Sequence, residues 1–161
     1  MESTPGKGTS FTVVVPLGVP ENAKPIHQSG GRASGPPENA LEGLRILVVE
    51  DNRVNQMVAV QLLKRYEAEV DLAINGIEAV NMTKEGGYDI ILMDLHMPEM
   101  DGFEAAIEIR GFSDIPIIAL TADVFPQTRQ KAIHCGMVEM VTKPFAIGDL
   151  LNTILRFTHR L

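Results

Sequence analysis

A doubly wound α/β fold, a five-stranded parallel sheet covered on both faces by helices, is what the sequence predicts from residue 41 onward. Two observations carry that expectation. Between Leu44 and Phe157, five short β-branched runs alternate with five segments of helical period, and right-handed crossovers then place helices on both sides of a parallel sheet. The runs are also nearly continuous in apolar residues, as strands buried on both faces must be.

Each element can be read in turn. The first strand is Leu44 with Ile46–Val49, interrupted only by Arg45, and it ends in the acidic pair Glu50 and Asp51. Asn52 can cap a helix whose apolar stripe is Val54, Met57, Val58 and Leu62. Further strands are predicted at Val70–Ile74, Tyr88–Met93, Pro116–Leu120 and Val138–Thr142. The helices between them fall at Ile77–Lys84, Phe103–Arg110 and Gln127–Cys135, the last closed by Gly136, and a final helix runs Ile147–Phe157. There is no internal repeat.

The first 40 residues are different. They hold 12 of the 24 Gly and Pro residues of the 161-residue chain, which excludes a mostly regular structure. Phe11–Val15 is a lone strand signal stopped by Pro16, and residues 18–40 read as a polar linker. One ordinary core with an appendage is therefore expected. With 45% apolar and 22% charged residues, a wholly disordered chain is excluded. No apolar run approaches the ~18 residues needed to span a bilayer, and no secretory signal opens the chain. A single cysteine, Cys135, agrees with a reducing compartment. The formal charge is −7, and because residues 1–40 hold three basic and three acidic side chains, all of it lies in residues 41–161. That acidic body, without a Lys/Arg cluster, argues against direct nucleic-acid binding.

Ligands of open α/β sheets lie beyond the carboxyl ends of the strands. There the sequence places Glu50 and Asp51 after the first strand, Asp94 after the third, Thr121 after the fourth and Lys143 after the fifth. Any one of these alone reads best as a solvated loop residue. Grouped carboxylates repel one another unless a hard divalent cation neutralises them, so the set implies a metal site of the kind Mg²⁺ suits.

These residues lie in four signatures: VVEDNRVNQ at 48–56, ILMDLHMPEMDG at 91–102, ALTA at 119–122 and TKPF at 142–145. Residues 44–158 thereby resemble the receiver domain of two-component response regulators. The resemblance implies a flavodoxin-like (β/α)5 fold with strand order 2-1-3-4-5. It implies that Asp94 is the phosphoacceptor and that Asp51, Asp94 and the backbone carbonyl of His96 bind Mg²⁺ or Mn²⁺, with Glu50 acting largely through water. It also implies that Thr121 and Lys143 contact the phosphoryl oxygens and that the Lys143–Pro144 peptide is cis. Such a domain takes its phosphoryl group from the dimerisation/histidine domain of a sensor kinase, passes it to a histidine phosphotransfer protein, and is cytoplasmic whatever anchors its parent.

The switch positions are Thr121, Ala122 and Met140, and the chain departs from the family at the last of them. Ala122 is small, as expected, but Met140 stands where the family usually carries Tyr, Phe or His, so an aromatic rotamer switch does not operate and coupling to the surface is expected to be looser. Glu50 replaces the more frequent aspartate. Residues 5–17, PGKGTSFTVVVPL, resemble the last turn and strand of a histidine-kinase ATP-binding domain, so the expected order is kinase remnant (1–17), linker (18–40) and receiver (41–161), as in a hybrid kinase. The rest of an ATP site is not in these residues; the receiver is expected only to assist its own Mg²⁺-dependent phosphorylation and dephosphorylation.

Two rivals differ in class. An aspartyl-phosphate-forming phosphatase of the haloacid dehalogenase type wants a second aspartate two residues after the nucleophile, where this chain has His96. An inert docking pseudo-receiver would not need Glu50, Asp51, Asp94, Thr121 and Lys143 together. Of the remaining candidates, His27, His134 and His159 read as solvated, and Cys135 reads as a small core residue beside Ala132.

Overall fold

The computed structural model describes residues 2–4, 8–10 and 37–158, and the chain divides into two units, Met1–Ala33 and Ser34–Leu161. In the first unit β1 (Glu2–Thr4) and β2 (Gly8–Ser10) pair antiparallel, Ser3 opposite Thr9. The strand expected at Phe11–Val15 lies outside the described residues.

The second unit is the predicted sheet. Its strands are β3 (Arg45–Val49), β4 (Glu69–Ala73), β5 (Ile90–Asp94), β6 (Ile117–Thr121) and β7 (Glu139–Thr142), in the order β4-β3-β5-β6-β7, all parallel. Within this sheet that is 2-1-3-4-5. The helices are α1 (Arg53–Arg65), α2 (Gly76–Glu85), α3 (Gly102–Arg110), α4 (Pro126–His134) and α5 (Ile147–Phe157). Alternate strand residues serve opposite cores, as the two-residue period of a strand requires. Leu47, Val49, Ile91, Met93, Ile117 and Ala119 pack with α2, α3 and Ala132 of α4, whereas Ile46, Val48, Ile90, Leu92, Ile118 and Leu120 pack with α1 and α5. Apart from Arg45 opening β3, Asp94 ending β5 and Thr121 ending β6, the central strands are apolar throughout, while the edge strands β4 and β7 are half-exposed.

Local chemistry sets the helix ends. Asn52 caps α1 by accepting from the N–H groups of Val54 and Asn55, and Asp101 and Glu104 form a capping box at the start of α3. At Gly102 a Cβ would collide with the carbonyl oxygen of Asp94, so the close seating of α3 on the end of β5 requires glycine. Gly136, at φ +89°, closes the turn after α4, and Cys135 beside Ala132 is buried as expected. Leu41 is fully buried, and its N–H donates to the Tyr66 carbonyl.

One expectation is overturned. Most of the apolar stripe read on α1 does not face the core: Val54, Met57 and Val58 are 66%, 59% and 57% exposed, Leu62 of that stripe packs half-buried on the core, and the helix buries Ala59 and Leu63. The helix thus sits on the face that carries Ala59 and Leu63, offset from the stripe that the periodicity marks.

Candidate functional site

The strand register gathers the predicted residues at one edge. Asp94 and Thr121 are the last residues of β5 and β6, Thr121 pairs with Thr142, and the Lys143 N–H then donates to the Thr121 carbonyl at 2.7 Å. Glu50 follows β3 directly and its N–H bonds the Ala73 carbonyl at 3.1 Å. The Lys143–Pro144 peptide is cis.

Lys143 is the centre of the arrangement. Its Nζ donates to Glu50 Oε2 at 2.5 Å and to Asp94 Oδ2 at 2.7 Å. Burial alone would pull the ammonium down, but the hydrogen bonds to Asp94 and Glu50 and their charges outweigh it and hold Lys143 above the ordinary lysine range. The other Asp94 oxygen accepts from the His96 N–H at 3.1 Å. Thr121 is fully buried, and its Oγ1 accepts from the Asp123 N–H at 3.0 Å. Asp123 is itself held below the usual carboxylate range, chiefly by the Thr128 hydroxyl and then by the Phe125 N–H. Ala122 is exposed, and Met140 is half-buried against the core on the α2/α3 side.

Glu50, 3% exposed, has donors on both oxygens: Oε1 accepts from Asn55 Nδ2 at 3.0 Å and the Asn52 N–H at 3.2 Å, opposite Lys143 on Oε2. Gln56 Nε2 fixes its backbone carbonyl at 2.6 Å. Asn55 and Gln56 were not singled out from the sequence, where their only mark is membership of the VVEDNRVNQ signature. Asp51 is exposed. One oxygen each from Glu50, Asp51 and Asp94 lies within 4.8 Å of the others. Three carboxylates against one ammonium leave two negative charges, and these clustered oxygens fit a hard divalent cation. Beside them opens a cavity of about 440 Å³ lined by Glu50, Asn55, Val58, Ala122, Lys143 and Phe145.

Other candidates stay apart. Among the described residues His134 is exposed, with Nδ1 2.8 Å from the Gln130 carbonyl, and burial pushes the Cys135 thiol up, away from reactivity. His27 and His159 lie outside the described residues.

Such a site on such a sheet defines a class, and comparison with known proteins agrees: residues 46–155 match the response regulator receiver domain, and the chain belongs to that family. It is similar to the sensor protein EvgS of Escherichia coli K12 (32% identity, 100% of this chain, 13% of EvgS) and to histidine kinase 3 of Arabidopsis thaliana (36%, 88% of this chain, 16% of the kinase). The chain therefore spans a small part of the length of these relatives. Among solved structures it resembles the receiver domain of a Pseudomonas aeruginosa sensor histidine kinase with a magnesium ion in its active site cleft (38% identity, TM-score 0.69, 73% of this chain and 98% of that one). It also resembles the Saccharomyces cerevisiae Ssk1 receiver solved with the phosphotransfer protein Ypd1 (34%, TM-score 0.70, 74% and 91%).

Proposed function

We propose that this chain is the receiver module of a hybrid sensor kinase, in which Asp94 accepts a phosphoryl group from a kinase phosphohistidine and yields it to the histidine of a phosphotransfer protein. A carboxylate oxygen of Asp94 attacks phosphorus, the P–O bond forms as the P–N bond breaks, and the imidazole leaves. Phosphoryl transfer needs little more than an in-line nucleophile and fixed charge around the equatorial oxygens. Lys143 moves its hydrogen bond from Asp94 to a phosphoryl oxygen, the Thr121 hydroxyl donates to another, and the short Ala122 side chain leaves them room.

Mg²⁺, or Mn²⁺, would be held by Asp51, Asp94 and the backbone carbonyl of His96, with Glu50 acting through water, and would supply positive charge against the charge that develops in transfer. Met140 fills the switch position without an aromatic ring, so phosphorylation reorganises β6 and β7 only modestly.

The exposed apolar residues Val54, Met57 and Val58 of α1, of which Val58 lines the cavity at the acid site, support docking of the kinase histidine domain and of a phosphotransfer protein. Nucleic acid and membrane are not partners in this reading; no helix among the described residues is long and apolar enough to cross a membrane. We assign residues 1–17 to the end of a kinase ATP-binding domain, 18–40 to a linker and 41–161 to a cytoplasmic receiver; the burial of Leu41 supports its place in the receiver.

The single observation that carries the reading is Asp94 at the end of β5, bridged by Lys143 to Glu50. Mass spectrometry after incubation with Mg²⁺ and a small acyl phosphate should find one base-labile phosphoryl group on Asp94, absent in Asp94→Asn. Label of normal yield in that variant would overturn the assignment.

A further inference from the structure

We infer that Asn55 is a positioning residue for the acid site, acting on Glu50 from the surface of α1; the inference rests on the receiver reading above. Glu50 has one more rotatable bond than an aspartate, so its hydrogen-bond partners have one more torsion to fix. Three donors hold it: Lys143 on Oε2, and Asn55 Nδ2 and the Asn52 N–H on Oε1. Asn52 contributes through its backbone, so among the described residues Asn55 is the one neutral side chain on this carboxylate. An amide donates without adding positive charge. It orients Glu50 while leaving the negative charge of the cluster available to a cation, which a second lysine there would cancel.

The placement matters as much as the bond. Asn55 is exposed, lies between Val54 and Val58 on the outward face of α1, and lines the cavity that also reaches Glu50 and Lys143. Its amide therefore joins an apolar outer face to a carboxylate that is almost fully buried.

Mg²⁺ titrations of the full chain, followed by backbone amide shifts of Asp51 and His96, test this. Asn55→Ala should weaken Mg²⁺ binding about tenfold, as loss of an outer-shell partner does, with little change in melting, because alanine suits an exposed helix position. In a Glu50→Asp background the shorter carboxylate no longer reaches the amide, so Asn55→Ala should there leave Mg²⁺ affinity unchanged. Equal affinities of wild type and Asn55→Ala, or the same fold-loss in both backgrounds, would overturn the positioning role. Wild type is labelled in parallel with acyl phosphate. A wild type that binds Mg²⁺ and is labelled on Asp94 while Asn55→Ala binds as well removes only the role of Asn55, whereas a wild type left unlabelled removes the receiver reading and this inference with it.

Discussion

The two ends of the sheet carry the same charge chemistry with opposite outcomes. At the start of the strands Arg45 lies among three carboxylates: its Nη2 is 2.9 Å from Asp71, its Nε 3.7 Å from Glu69, and its backbone N–H donates to Asp89 at 2.8 Å. The guanidinium also lies over the Tyr88 ring, whose hydroxyl donates to Asp71. At the carboxyl end Lys143 lies among Glu50, Asp51 and Asp94. The side chains of Arg45 and Asp71 are 42% and 45% exposed, against 4% for Glu50 and 13% for Asp94. Water screens the surplus negative charge at the first end, where each pair contributes little. At the second end Glu50 and Asp94 are shielded from water, where charge acts more strongly, and Asp51 alone of the three is exposed. Burial, more than the count of charges, separates a structural clasp from a reactive site.

Lys143→Ala breaks the contrast most deeply. Leaving Glu50 and Asp94 without their ammonium should cost about 3 kcal/mol in Mg²⁺-free buffer, and added Mg²⁺ should raise the melting temperature of the variant more than that of wild type. Acyl-phosphate labelling should fall about a hundredfold, as loss of a fixed donor to developing charge does, with Mg²⁺ affinity kept or tightened. Scanning calorimetry and rapid-quench labelling check both. At the other end Arg45→Ala should cost only ~1 kcal/mol by urea denaturation, largely through lost packing on Tyr88, and leave labelling at the wild-type rate.

The smallest effect concerns the inverse cluster, where Glu139 on β7 bonds both Arg129 and Arg156 at 2.6 Å. Burial alone would raise its carboxyl, but the Met140 N–H and the two arginines prevail and hold it below its usual 4.5. Its stabilisation is therefore present above that unfolded value and is lost as pH falls through the lower folded one. Glu139→Gln should flatten this part of the acid limb of a melting profile, an effect confined to pH below the usual 4.5 of a glutamate.

How much was legible follows from the same physics. The strands were readable because burial on both faces leaves apolar runs, and reading the strand ends located Asp94, Thr121 and Lys143. The α1 face was misread because exposed apolar residues can share the period of a buried stripe: Val54, Met57 and Val58 do, while the truly buried Ala59 is too small to announce itself. Asn55 and Gln56 escaped because amides carry no charge and take their meaning from what they face. The β1/β2 hairpin is built from Glu, Ser, Thr and Gly, and has no apolar alternation to reveal it.

Lys143 has one more consequence. Its ammonium is tethered by the chain 2.7 Å from Asp94, so its local concentration does not fall on dilution, whereas that of a diffusible cation does. A cation entering the acid cluster must compete with a rival whose supply is constant. On the receiver reading proposed above, the geometry of one side chain would therefore set a threshold for ion occupancy, and a slacker or stiffer hold on Lys143 would tune the ion concentration at which the module becomes competent, without touching a single metal ligand.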